Sequence, residues 1–169
     1  VFAGVEVVAL WVSFTGDLGW ELHCDAADQS TLYAALLESG QGVDAGPVGS
    51  RALMSLRLEK GYGSWLREYS PEYWPHEVGL DRLCKLETSF LNKTALSEVL
   101  QQPARERLVL LEIDTAAASA SDADATGGEP IFKDGVGIGR ATSGGYGYSV
   151  DMSLALGFVK GAKAGDQVE

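Results

Sequence analysis

At 169 residues with 46% hydrophobic content, the chain can bury a real core and form one or two domains. Its formal net charge of −11 argues against a nucleic-acid or anionic-membrane surface, because phosphate binding needs clustered Lys and Arg. No apolar run approaches the roughly 20 residues that span a bilayer, and two cysteines, Cys24 and Cys84, fit a reducing compartment better than a disulfide framework.

Val5 to Phe14 is rich in β-branched and aromatic residues and predicts a strand. Gly16 and Gly19 bracket Asp17-Leu18, a spacing that suits a chain reversal needing positive φ. Beyond the turn, Trp20, Leu22 and Cys24 alternate with Glu21, His23 and Asp25, the period of a strand with two different faces. Glu21 therefore sits beside the turn and faces away from Trp20. It reads either as a solvated outward carboxylate or as a ligand group on an otherwise apolar strand.

A helix follows, capped by Asp28 or Ser30, carrying Leu32, Tyr33, Leu36 and Leu37 on one side and stopped by Ser39-Gly40-Gln41-Gly42. A second helix is expected from near Pro47 through Arg51, Met54 and Leu58 to Lys60. Its apolar residues cover more than one stripe, so it should be largely buried, with Arg51 and Arg57 on different sides. Residues 61–75 place Tyr62, Trp65, Tyr69, Tyr73 and Trp74 in a proline-punctuated loop, which is either a ligand pocket or a loop pinned to the core by its own rings. Pro75 opens a short helix through Val78 and Leu83, and Asn92 or Thr94 starts another that ends near Gln102-Pro103.

The character changes at Pro103. Leu108 to Ile113 is a compact apolar strand, and Asp114 to Glu129, with no large apolar side chain before its end, reads as a mobile acidic loop. Ile131 to Thr142 reads as a hairpin about Asp134-Gly135, and Leu154 to Val159 as the last strand, so this part is all-β and suits a small barrel. The Gly135-Val136-Gly137-Ile138-Gly139 run lacks a following helix and any Gly-Lys-Ser/Thr, and is not a phosphate loop. His23 and His76 lack helical ligand spacing and no Cys-x-x-Cys pair occurs, which leaves no metal ligands to assign. The chain enters a strand directly after Val1 and stops at the turn-like Gly165-Asp166-Gln167, so it reads as a piece of something larger.

Four segments stand out in chain order: Phe14 to Glu21, Leu56-Arg57-Leu58-Glu59-Lys60-Gly61-Tyr62, Pro75-His76-Glu77-Val78-Gly79-Leu80-Asp81, and Thr142-Ser143-Gly144-Gly145-Tyr146-Gly147-Tyr148-Ser149. In that order they resemble the folate-dependent aminomethyltransferase family, which includes the glycine-cleavage T-protein and the folate-binding parts of dimethylglycine and sarcosine dehydrogenases. Phe90 to Leu96 is similar to a fifth family signal. The Leu-Arg-Leu-Glu-Lys form and the Tyr146/Tyr148 pattern lean toward the dehydrogenase branch.

The resemblance implies an α+β fold. Residues 1–102 would be the second half of a split ferredoxin-like folate-binding domain, and residues 103–169 a small antiparallel β-barrel. It implies one-carbon transfer to tetrahydrofolate from an amine substrate, with FAD involved only if a flavin domain lies upstream, in the cytoplasm or the mitochondrial matrix. The alternative is a non-catalytic folate-binding or scaffold domain of the same fold. Glu21 matches the glutamate that binds the pteridine, whose adjacent N–H and amino groups suit one bidentate carboxylate. Phe14 stands where the family often has a tyrosine. Leu53 stands where the T-protein has a folate-contacting arginine, with Arg51 two residues earlier, and Trp65 falls in the aromatic loop by analogy. No catalytic residue is assigned, because the family's catalytic aspartate matches a segment upstream of Val1. Neither nucleic acid nor membrane is expected as a partner. With its first strand apolar on both faces, the isolated chain is expected to self-associate through that strand or to alter its first hairpin, and to show negligible transfer.

Overall fold

The computed structural model describes residues 1–114 and 125–169. The chain divides into two compact units, Val1–Arg57 and Leu58–Glu169.

In the first unit, β1 (Val8–Leu10) pairs antiparallel with β2 (Glu21–His23), with Leu10 opposite Glu21 and Val8 opposite His23. The expected strand over 5–14 is thus much shorter. β-Propensity runs the full ten residues, but a ladder extends only where a partner lies alongside, and β2 offers three residues. The turn glycines work by different means. Gly16 takes a φ of +80°, whereas a Cβ on Gly19 would come within 2.8 Å of the Val12 carbonyl oxygen, so that residue is small to admit backbone.

Helix α1 (Gln29–Gly40) begins after Asp28, which makes no side-chain cap bond, and ends where a Cβ on Gly40 would strike Ala45. Helix α2 (Ser50–Glu59) starts three residues later than the sequence suggests and is not largely buried. Its first turns are exposed, Leu53 included, and only Arg57 and Leu58 are closed from solvent. Apolar content on several stripes does not bury a helix that packs through its last turn alone.

The second unit is built on an antiparallel four-stranded sheet in the order β3 (Arg107–Ile113), β6 (Met152–Val159), β5 (Val136–Gly147), β4 (Pro130–Lys133). Strand β6 lies centrally, and Leu154, Ala155, Leu156, Phe158 and Val159 are almost wholly buried, as its unbroken apolar run requires. β5 is longer than expected and absorbs Ser143 to Gly147, with a register shift between Ala141 and Ser143. Asp134 and Gly135 form the β4–β5 turn, both with positive φ (51° and 75°), the geometry of a tight hairpin. Glu169 exchanges two backbone hydrogen bonds with Phe132 on the outer edge of β4 (2.6 and 2.8 Å).

Where one short helix is expected after Pro75, the chain makes two 3-10 turns, Pro75–Glu77 and Asp81–Leu83, separated by Gly79 at a φ of +72°. Helix α3 (Lys93–Leu100) begins after Asn92, which sits in the left-handed region.

Of the segment read as a mobile loop, residues 115–124 lie outside the described residues. Its end is tied by hydrogen bonds. Glu129 accepts the amides of Thr126 and Gly127 (2.8 Å each), and Gly128 and Glu129 trade backbone bonds with Ala141. Those amide donors, Thr126 first, hold the Glu129 carboxyl at about 2.

Candidate functional site

The first hairpin carries the sequence-predicted carboxylate on its surface. Glu21 opens β2, and its side chain is 63% exposed, with Oε2 3.5 Å from Nε2 of His23. On the two sides of the turn, the rings of Trp11 and Trp20 stack with centroids 6.3 Å apart, and both remain exposed. Phe14 lies between β1 and the turn and is 36% exposed. The hairpin therefore exposes the Glu21 carboxylate together with aromatic and aliphatic side chains, Val8, Leu10, Val12, Leu18 and Leu22 among them. A carboxylate so exposed can accept a pair of adjacent N–H donors.

The four sequence-predicted residues are not one cluster by chain position. Phe14 and Glu21 share the hairpin. Arg51 stands exposed in the first turn of α2, within the same unit. Trp65 belongs to the second unit, at the exposed tip of the aromatic loop (73%).

That loop is tied down by an acid the sequence reading passed over. Glu68 is fully buried. Its Oε2 accepts the Ser64 amide and hydroxyl (2.7 and 3.1 Å), and its Oε1 accepts the hydroxyls of Thr142 and Ser143 (2.7 and 2.6 Å). The loop closes further through the Ser64 carbonyl, which accepts the amides of Arg67, Glu68 and Tyr69, and through the Tyr69 hydroxyl, which accepts the Gly63 amide. The aromatic loop and the Thr142-Ser143 stretch, the second of which opens a segment resembling the family, thus meet at one carboxylate. Tyr73 is pinned as well: its ring stacks on Phe158 at 3.9 Å and 9°. Its hydroxyl donates to Glu106 (3.0 Å) and accepts from Arg140. Most of the loop is therefore pinned by its own side chains, with Trp65 left outside.

A second buried acid organises the turn after Pro75. Glu77 accepts the Trp74 amide (2.9 Å), the Arg105 amide (2.9 Å), and Nε and Nη2 of the Arg105 guanidinium (2.8 and 2.6 Å). The guanidinium holds its carboxyl well below the usual range, at about 2. Neither acid was assigned a role from sequence. The available signal was an acid placed between aromatics and after a helix-opening proline, and only a partner far along the chain makes it meaningful.

Two hollows lie in the second unit. A hollow of about 200 Å³ is lined by Tyr62 and Tyr69 from the aromatic loop, by aliphatic side chains such as Leu80 and Leu156, and by Lys60 and Arg82. An open groove of about 520 Å³ is lined by Glu72, Tyr73, Arg105, Glu106 and Lys160. Among the described residues no helix is long and apolar enough to cross a membrane, and no group of three or more His, Cys, Asp or Glu could hold a metal ion.

Residues 1–88 match the family model described as the GCVT N-terminal domain, and residues 106–169 match the glycine cleavage T-protein C-terminal barrel domain. The chain is 37% identical over 169 residues to the mitochondrial dimethylglycine dehydrogenase of Mus musculus, covering 98% of this chain and 19% of that protein. It is 33% identical to the mitochondrial sarcosine dehydrogenase of the same species (96% and 17%). With the aminomethyltransferase of Thermotoga petrophila it shares 32% identity (100% and 45%). It also superposes on the crystal structure of the glycine cleavage system aminomethyltransferase T from Bartonella henselae with a TM-score of 0.71 at 27% identity, over 89% of this chain and 41% of that one. The chain thus spans about a fifth of the length of the dehydrogenases and under half that of the aminomethyltransferases.

Proposed function

The chain belongs to the glycine-cleavage T-protein family, a folate-dependent one-carbon-transfer family, and from that premise we propose that it forms the folate-binding part of an enzyme that captures a one-carbon unit from an N-methyl or aminomethyl donor. The observation that carries this reading is Glu21: an exposed carboxylate at the start of β2, beside a turn in the family's pattern, on a hairpin that also exposes aromatic rings. Tetrahydrofolate is the acceptor in this proposal. The Glu21 carboxylate takes the pteridine's adjacent N–H and amino donors as a bidentate pair. Phe14 adds a ring face without the hydroxyl that a tyrosine would bring, and Arg51 is a further proposed contact in the same unit; Trp65 is a candidate by family likeness alone.

Further parts of the proposal rest on family likeness alone. Residues 1–102 form the second half of a split ferredoxin-like folate domain, and residues 103–169 the barrel domain. FAD enters only through a flavin domain upstream. The work takes place in the cytoplasm or the mitochondrial matrix. Self-association of the isolated chain rests instead on the exposed apolar side chains of its first hairpin. The alternative is a non-catalytic folate-binding or scaffold domain of the same fold.

Glu21→Gln keeps the shape but turns an amide NH₂ toward the ligand's donors. It should cost roughly 2–4 kcal/mol of tetrahydrofolate binding, about thirty- to a thousandfold in affinity. Calorimetric titration of the parent and variant chains checks this, and equal affinities would remove Glu21 from the site. A methylene-transfer assay on the longer protein separates the enzyme from the non-catalytic reading.

A further inference from the structure

The 520 Å³ groove of the second unit shares no residue with the proposed folate contacts. We propose that it is a binding site for a small zwitterion of the α-amino-acid class. The argument starts from which polar atoms on its walls are already committed. Arg105 spends Nε and Nη2 on buried Glu77, and Nη2 also donates to the Glu72 carbonyl (2.6 Å). Nη1 makes no hydrogen bond among the described residues, although the side chain is 57% exposed. Glu106 spends Oε1 on Tyr73 and on Arg140 (3.3 Å) and keeps Oε2 open. The Lys160 ammonium and the Glu72 carboxylate are exposed, and neither has a hydrogen-bond or ion-pair partner among the described residues.

The groove therefore offers two open cationic donors, Arg105 Nη1 and Lys160 Nζ, and two open anionic acceptors, Glu72 and Glu106 Oε2. Formal charge decides what fits. Glu77 balances Arg105, Glu106 balances Arg140, and Glu72 balances Lys160, so a simple anion or cation gains little net attraction and leaves half of the open groups unmatched. A molecule carrying a carboxylate and an ammonium meets both sets at once, which is the complementarity that gives specificity. The walls are also set in advance. The Glu77 fork fixes Arg105, and Phe158, Glu106 and Arg140 fix the Tyr73 ring, so little rotamer freedom remains to be lost at these positions. The volume lies within the range of small-molecule sites.

The test uses alanine as the zwitterion, with propionate and ethylammonium as its two halves, titrated into the 169-residue chain and followed by NMR at the Arg105 Nε–H and the Lys160 backbone amide. Alanine should give saturable shifts at both, with each half-molecule binding at least about tenfold more weakly, one charge-assisted contact's worth. Lys160→Gln and Glu72→Gln, both on exposed side chains that leave the fold intact, should each weaken alanine about tenfold. Lys160→Gln should also weaken propionate, whereas Glu72→Gln should not. Propionate binding as tightly as alanine would make this an anion site and overturn the proposal. Ethylammonium binding as tightly, no saturable shift with alanine, or indifference of alanine to both substitutions would overturn it equally.

Discussion

Glu77→Gln should destabilise the second unit by roughly 3 kcal/mol at neutral pH, and that loss should fade as the solution is acidified. The carboxylate takes in two backbone amides and two guanidinium N–H groups while fully shielded from water. The amide of a glutamine presents a donor to some of those donors. Arg105 is more than half exposed, so freeing it costs less than stranding a wholly buried charge. The pH dependence follows from the depressed carboxyl, near 4.5 when unfolded and about 2 when folded. A group lowered in this way contributes stability that is complete above the unfolded value and disappears as pH falls toward the folded one. Over that interval the contribution amounts to about 3 kcal/mol. Below pH 2 the parent carries a neutral carboxyl with nearly the shape of the variant's amide, so the two should converge. Hydrogen exchange at β6 amides between pH 7 and pH 2.5 reports the unit directly, and a gap that stays constant with pH would show that the charge is not what Glu77 contributes.

How much of this was legible in the sequence depended on range. The hairpin turn at Gly16, helices α1 and α3, the Asp134-Gly135 turn and the apolar β6 strand are local statements, and residues a few positions apart carry them. Strand length was not local. Val5 to Phe14 has the propensity of a ten-residue strand, yet three residues find a partner. The burial of α2 was misread for the same reason, since an apolar stripe states what could be buried and not what lies opposite it.

The polar interior was the least legible part. A buried carboxylate runs against the general expectation for Glu. Glu68 and Glu77 become intelligible only once Thr142 and Ser143, or Arg105, are brought in from far along the chain. At the candidate site, the exposure of Glu21 follows from the hairpin alone. Arg51 and Trp65 were placed by resemblance, and no local rule sets them beside the hairpin.

The glycine run in β5 shows what such a pattern means when it is not a phosphate loop, and it gives a sharp expectation. A Cβ built on Gly139 would be driven into the carbonyl oxygen of Phe158 and would lie 2.9 Å from that carbonyl carbon and from the Val159 Cα. All three atoms belong to the backbone of the central strand β6, to which Gly139 is paired opposite Val159. A flexible side chain can swing away from an intruding methyl group, but a strand held by ladders on both sides cannot. Gly139→Ala should therefore cost more than the usual 1–3 kcal/mol of overpacking and pull β5 away from β6 near its start. Gly137, two residues earlier in the same strand, is the internal control. Its Cβ would meet only the Phe132 ring, at 3.6 and 3.9 Å, which is ordinary contact. Gly137→Ala should change stability by no more than about 0.5 kcal/mol, because the methyl fits and the unfolded chain loses freedom. Denaturant unfolding of the two variants, read at β6 amides, separates close backbone approach from a general preference for glycine. Equal effects at the two positions would show that the crossing at Gly139 has room to relax.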